Sequence, residues 1–317
     1  LEDLQKYQSI QRKPVCAPYR EYRVCGMGPP SSGALTVGQI LGLLSHFDLP
    51  GLGLDVQSVH LYSEAAKLAY ADRARYMADS DFTAMPTAGL LDPRYLEQRA
   101  TLIDEKRAME KAQAGSPPWE RAVSYADDLS AEQPGTSHIS IVDARGNIVS
   151  MTTTIETGFG SRLMVGGFLL NNELTDFSFA PEKDGKPVAN RIEGGKRPRS
   201  SMAPTIVFDS QERPVLVIGS PGGSRIINYV AGTLVAALDW EMDIQSAIDL
   251  GHFVNRNGDT DLESNTAVAA LLPGLESLGH TVNIRDLNSG LHGIQIMPDG
   301  TLLGGADPRR EGVVLGK

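Results

Sequence analysis

Apolar positions along this chain recur first at helical and then at strand spacing, and the change falls near residue 136. Leu35, Ile40, Leu41, Leu43 and Leu44 supply the buried side of a helix predicted over Ala34–His46. Leu61, Ala65, Leu68 and Ala69 predict a second helix over Val56–Ala78, and Asp92-Pro93 opens a third near Tyr95–Ala112. Ahead of these, the run from Arg12 to Cys25 reads as two short strands around a turn at Arg20-Glu21. Residues Gly26 to Gly33 form a Gly/Pro/Ser loop. Gln113–Gln133 is rich in Ala, Gly, Ser, Pro and acids and has little periodicity, so it reads as an exposed linker.

From Thr136 onward the pattern alternates. His138–Asp143 and Ile148–Thr154 flank the turn Ala144-Arg145-Gly146-Asn147, and Pro204–Phe208 and Val215–Gly219 flank Asp209–Arg213. Ile226–Leu238 has the character of a buried helix. Strand pairs followed by helices predict an α+β protein with mostly antiparallel sheet.

With 317 residues, 41% of them hydrophobic, the chain can bury a substantial core. Its formal charge of −10 and lack of a basic stripe exclude nucleic-acid binding as the main task. No apolar run approaches the roughly 20 residues of a membrane-spanning helix. The two cysteines, Cys16 and Cys25, would be directly opposed if a two-residue loop joins their strands. A disulfide and a pair of half-buried thiols both fit that geometry.

Gly135-Thr136 stands immediately before a strand. A threonine hydroxyl is a poor nucleophile without an adjacent base. Cleavage before Thr136 would supply one on the same residue, an α-amine with a pKa of roughly 7.7–8.0. Further on, Gly222-Gly223 before a helix offers backbone N–H groups of the kind that stabilise an oxyanion.

Several motifs occur in a fixed order: Pro29-Pro30-Ser31-Ser32-Gly33, Ala69-Tyr70-Ala71-Asp72-Arg73 and Gly135-Thr136. After them come Asn171-Asn172-Glu173-Leu174-Thr175-Asp176, Ser200-Ser201, Ser220-Pro221-Gly222-Gly223-Ser224-Arg225 and Gly304-Gly305-Ala306-Asp307-Pro308-Arg309-Arg310. In this order they resemble the gamma-glutamyltransferase family over essentially the whole chain. The resemblance implies the four-layer αββα sandwich of N-terminal-nucleophile hydrolases, with an upstream part outside this chain. It implies a large-subunit-like region over 1–135, a small-subunit-like catalytic region over 136–317, and one interlocked domain made by both after cleavage at Gly135-Thr136.

By the same resemblance Thr136 is the nucleophile, Thr154 a hydroxyl bonded to it, and Gly222 and Gly223 the oxyanion hole. Ser200 and Ser201 would hold a substrate α-carboxylate, and Glu173 and Asp176 its α-ammonium. The substrates implied are a gamma-glutamyl donor of the glutathione type and an acceptor that is an amino acid, a peptide or water. No metal or organic cofactor is implied. The compartment is left open, although relatives are often periplasmic or extracellular.

Two departures stand out. Glu156 occupies a position where many members carry Asn, which makes three carboxylates in one expected pocket. The family's carboxylate-clamping arginine falls on no position of this chain. The segment Ala180–Gly195 lacks aromatic residues, which predicts a more open pocket. Two alternatives stay open: an acylase acting on other side-chain amides such as glutaryl compounds, and an unprocessed or inactive member.

Overall fold

The computed structural model describes residues 2–128, 130 and 135–316. Its centre is a six-stranded, fully antiparallel sheet that takes strands from both parts of the chain. Val15–Tyr19 pairs with Tyr22–Gly26, and that strand pairs with Thr205–Phe208. Pro214–Gly219, His292–Ile296 and Leu302–Ala306 complete the order. The expected hairpin at Arg20-Glu21 therefore forms an edge of this sheet. Cys16 lies opposite Cys25, and the two are joined by a disulfide.

Four helices form the main core on one face. Gly33–Leu44 packs against Val56–Tyr76, Ile226–Leu238 and Pro93–Ala100, and nearly every residue of Gly33–Leu44 is buried. That explains its largely apolar composition, because a helix surrounded by other elements needs no polar side; Gln39, polar and buried within it, donates to Asp72. Val56–Tyr76 begins at a capping box between Asp55 and Ser58. The third helix ends at Ala100, well short of the predicted Ala112. Its last turn closes with Leu102 N–H on Arg99 O and Ile103 N–H on Ala100 O, and Asp104 keeps it from resuming: its side chain accepts from Lys106 N–H, and its carbonyl is held by His60 Nε2 at 2.8 Å.

On the opposite face lies the hairpin Thr136–Val142/Ile148–Thr154, in contact with Pro214–Gly219 and His292–Ile296. Its inward face carries Thr136, His138 and Ser140. Its outward face leaves Ile139, Ile141, Val149 and Met151 exposed. Helix, sheet and sheet are thus three successive layers among the described residues.

The predicted linker is not uniformly exposed. Residues 129 and 131–134 lie outside the described residues, but Tyr125, Ala126 and Asp128 are buried. Asp128 is paired with Arg199 at 3.3 Å. A further three-stranded sheet, Phe253–Asn255, Thr260–Glu263 and Val282–Arg285, contains one parallel pair.

Candidate active site

Hairpin register puts Thr136 directly opposite Thr154. Thr136 is buried at the start of its strand. Thr154 Oγ1 donates to the carbonyl oxygen of Gly135 at 3.2 Å and accepts from Glu156 N–H at 2.8 Å. The hydroxyl expected to serve the nucleophile thus contacts the peptide group just before it. Arg310, from the Asp307-Pro308-Arg309-Arg310 motif, donates to the Thr136 carbonyl at 3.3 Å and is anchored on Asn288.

One small cavity brings the expected residues together. Thr136, Thr154, Glu156, Glu173, Asp176, Ser200, Ser201 and Gly223 all line it. Gly222 adjoins it without lining it. The open volume is about 20 Å3, room for about one water. With Gly135 peptide-linked to Thr136, the Gly135 backbone lies against that of Glu156 so closely that a Cβ on Gly135 would stand 1.8 Å from Glu156 O.

Gly222 and Gly223 both need glycine. Their φ values are 139° and 58°, and a Cβ on Gly222 would meet the Tyr229 ring at 2.6 Å. They turn the chain out of Pro214–Gly219 and into the helix Ile226–Leu238.

Electrostatically the cavity has two ends. At one, carboxylate oxygens of Glu156, Glu173 and Asp176 lie within 4.8 Å of one another. Glu156 is buried in a left-handed backbone conformation, φ 75°, and Glu173–Asp176 is a single 3₁₀ turn. Burial, and then the charge of Glu156, push the Glu173 carboxyl up to about 7. At the other end, Ser200 and Ser201 are held from several sides. Ser32 Oγ donates to Ser200 O at 2.8 Å, and Arg73 Nη2 donates to Ser201 Oγ at 2.6 Å. Arg199 N–H donates to Asn190 Oδ1, and Asn190 Nδ2 donates to Asp128 and to the Asp176 carbonyl. This network ties the two ends together. Burial raises the Asp128 carboxyl, but Arg199 and Asn190 outweigh it and hold the group below its ordinary value.

His138, two residues after Thr136, bonds Thr152 and Ser140. Burial, with His292 adding to it, pushes its pKa down to about 3, so it is neutral at physiological pH. Its ring packs so tightly on Gly219 that a Cβ there would lie 2.2 Å away. This residue fills space beneath the nucleophile.

A second group of metal-ligating types, His60, Glu64 and His280, is satisfied internally. The Asp104 carbonyl can only accept, so His60 Nε2 donates to it, and His60 Nδ1 accepts from His280 Nε2 at 2.7 Å. Glu64 accepts from Lys67 and from Met109 N–H.

Sequence reasoning assigned no role to Arg73 or Arg310. Both lie in motifs that carried the resemblance, but neither motif says which side chain faces the cavity.

A sequence model described as gamma-glutamyltranspeptidase matches residues 1–317. The glutathione hydrolase proenzyme of Bacillus subtilis is 35% identical over 99% of this chain and 54% of its own length. An acylase ACY 1 proenzyme of Pseudomonas sp. (strain SE83) is 33% identical over 98% of this chain and 53% of its own length. Among solved structures, a cephalosporin acylase from Bacillus halodurans superposes with a TM-score of 0.85 at 24% identity, over 99% of this chain and 55% of that one, and supports the fold alone. The chain spans about half the length of the curated relatives it matches. Its fold is that of the N-terminal-nucleophile hydrolases, and the chain belongs to the gamma-glutamyltranspeptidase family.

Proposed function

We propose that this chain carries the catalytic centre of a gamma-glutamyl hydrolase or transpeptidase that cuts its own backbone at Gly135-Thr136. In the first stage Thr136 Oγ adds to the Gly135 carbonyl carbon. The C–N bond breaks, the hydroxyl proton passes to the departing α-amine, and water hydrolyses the resulting ester. Thr154, donating to the Gly135 carbonyl oxygen at 3.2 Å, is placed to stabilise the charge that develops there. The pieces 1–135 and 136–317 then remain associated, because Tyr22–Gly26 and Thr205–Phe208 are neighbours in one sheet.

In the second stage the freed amine accepts the proton of Oγ as Oγ attacks a γ-carbonyl, and delivers that proton to the leaving amine. Water or an amino group then resolves the acyl ester. Backbone N–H groups at Gly222-Gly223 face the oxyanion, Glu173 and Asp176 hold the α-ammonium, and Ser200 and Ser201 hold the α-carboxylate.

The observation that carries this reading is the convergence of Thr136, Gly223, a carboxylate end and a paired-serine end on one cavity. The charge separation suits an α-amino acid and not a glutaryl group, which would leave three carboxylates facing a methylene. Two measurements test it. The C-terminal fragment should begin at Thr136, and Thr136→Ala should leave a single uncleaved chain. Processed protein should cleave a gamma-glutamyl anilide in preference to a glutaryl anilide, and the reverse preference would identify an acylase.

A further inference from the structure

Arg73 sits in the last turn of the helix Val56–Tyr76, is 5% exposed, and points its guanidinium at the serine end of the cavity. Nε donates to Ser32 Oγ at 2.8 Å and Nη2 to Ser201 Oγ at 2.6 Å. A guanidinium has no acceptor, so Ser201 Oγ must receive the bond and its own hydrogen must point away from Arg73. Ser32, the other serine that Arg73 grips, donates through Oγ to the Ser200 carbonyl at 2.8 Å, and Ser32 N–H reaches the same oxygen at 2.8 Å. Ser31 Oγ donates to Met202 O at 2.5 Å. One arginine thus holds both the segment that carries the serine pair and the hydroxyl of its second member.

Its surroundings favour an anion. Behind Arg73 a cavity of about 540 Å3 also carries Lys111, Arg199 and Arg256, and Arg256 donates to Ser224 Oγ at 2.8 Å. Two of the acids there are committed to arginines, Asp128 to Arg199 and Asp261 to Arg225 and Arg285. Cations outnumber acids in that lining, with Arg73, Lys111, Arg199, Arg256 and Arg285 against Asp128, Asp259 and Asp261.

We propose that Arg73 is a positioning residue for donor recognition: it fixes Ser201 as a hydrogen-bond donor to the substrate α-carboxylate and adds a cation behind that bond. The inference rests on the proposed role of Ser200 and Ser201. It gives the carboxylate end a cation from within this chain.

The test compares L-glutamate with 4-aminobutanoate, the same molecule without its α-carboxylate, by calorimetric binding to processed protein. In Arg73→Gln, glutamate should bind about 10- to 100-fold more weakly, the size of one charge-assisted hydrogen bond, while 4-aminobutanoate binding stays unchanged. Arg73→Lys keeps the charge but cannot bridge both serines, and should show the same selective loss at smaller size. If Arg73→Gln does not fold, Arg73→Lys decides by the same comparison. Loss shared equally by both ligands marks a merely structural residue and overturns the proposal, as does unchanged glutamate affinity. Wild-type protein that binds glutamate selectively but turns over no gamma-glutamyl anilide would overturn the proposed reaction and leave the result for Arg73 standing. Wild-type protein that binds both ligands alike would overturn the role of the serine pair, and that of Arg73 with it.

Discussion

Thr154 Oγ1 donates to the carbonyl oxygen of Gly135 at 3.2 Å, across the hairpin from the residue that follows it. Thr154→Val keeps the β-branched shape and removes the donor. Cleavage at Gly135-Thr136 should then slow on the order of 100-fold, as for loss of one oxyanion donor. Time-resolved denaturing electrophoresis reads this directly, and an unchanged rate would remove Thr154 from the mechanism.

Glu173 holds its proton up to about pH 7, against an ordinary value of roughly 4.3. Between those values the folded chain binds the extra proton, so this group's contribution to stability falls as pH rises through the window. Ammonium binding has the opposite sign, because it needs the ionised form. The KM for a gamma-glutamyl donor should fall as pH rises through about 7. Glu156→Gln removes the like charge and should move that inflection downward, while burial keeps it above the ordinary value. An inflection that stays in place would separate Glu156 from Glu173.

Gly222→Ala forces a Cβ to 2.6 Å from the Tyr229 ring at a φ of 139°. The expected cost is about 1–3 kcal/mol of stability, seen as a lower thermal midpoint, together with a fall in kcat larger than the change in KM. A variant of native stability and full activity would show that the turn has another conformation open to it.

Arg310→Met releases the Thr136 carbonyl while leaving the cavity lining untouched. We expect kcat to fall about 10-fold through loss of nucleophile orientation, with glutamate affinity retained. Equal loss of both would point to wider disruption of the C-terminal segment.

The Cys16–Cys25 bridge closes a short loop at the edge of the central sheet. Its removal in Cys16→Ser/Cys25→Ser should cost about 2–3 kcal/mol by the loop-entropy relation. Denaturant midpoints of this variant and of reduced wild-type protein should coincide. Failure to coincide would mean that the thiols themselves perturb the hairpin.

The hairpin that carries Thr136 was legible from two alternating runs around a turn, but its register was not: counting outward from Ala144–Asn147 would put Thr136 opposite Ile155, whereas Asp143 pairs with Asn147 and brings Thr154 opposite Thr136. Helices with long apolar stripes were legible from a local pattern of the same kind. The third helix was not, because His60, far away in sequence, takes the Asp104 carbonyl that a continuing helix would have used. The strands of three to five residues after Asp249 were missed as well. Segments so short pair according to the partner available and not according to their own propensity.

Local chemistry settled the kinds of residue available: a Gly-Thr junction, a glycine pair before a helix, serine and carboxylate pairs, and two cysteines in facing strands. Those depend on spacing along the backbone, which a sequence displays. Only the tertiary structure decided that Arg73 reaches Ser201 across 128 positions, that Arg310 grips the carbonyl of Thr136, and that Glu156 lies close enough to Glu173 to raise its pKa. Such contacts depend on which faces are buried together when the sheet and helices pack, and no interval along the chain encodes that distance.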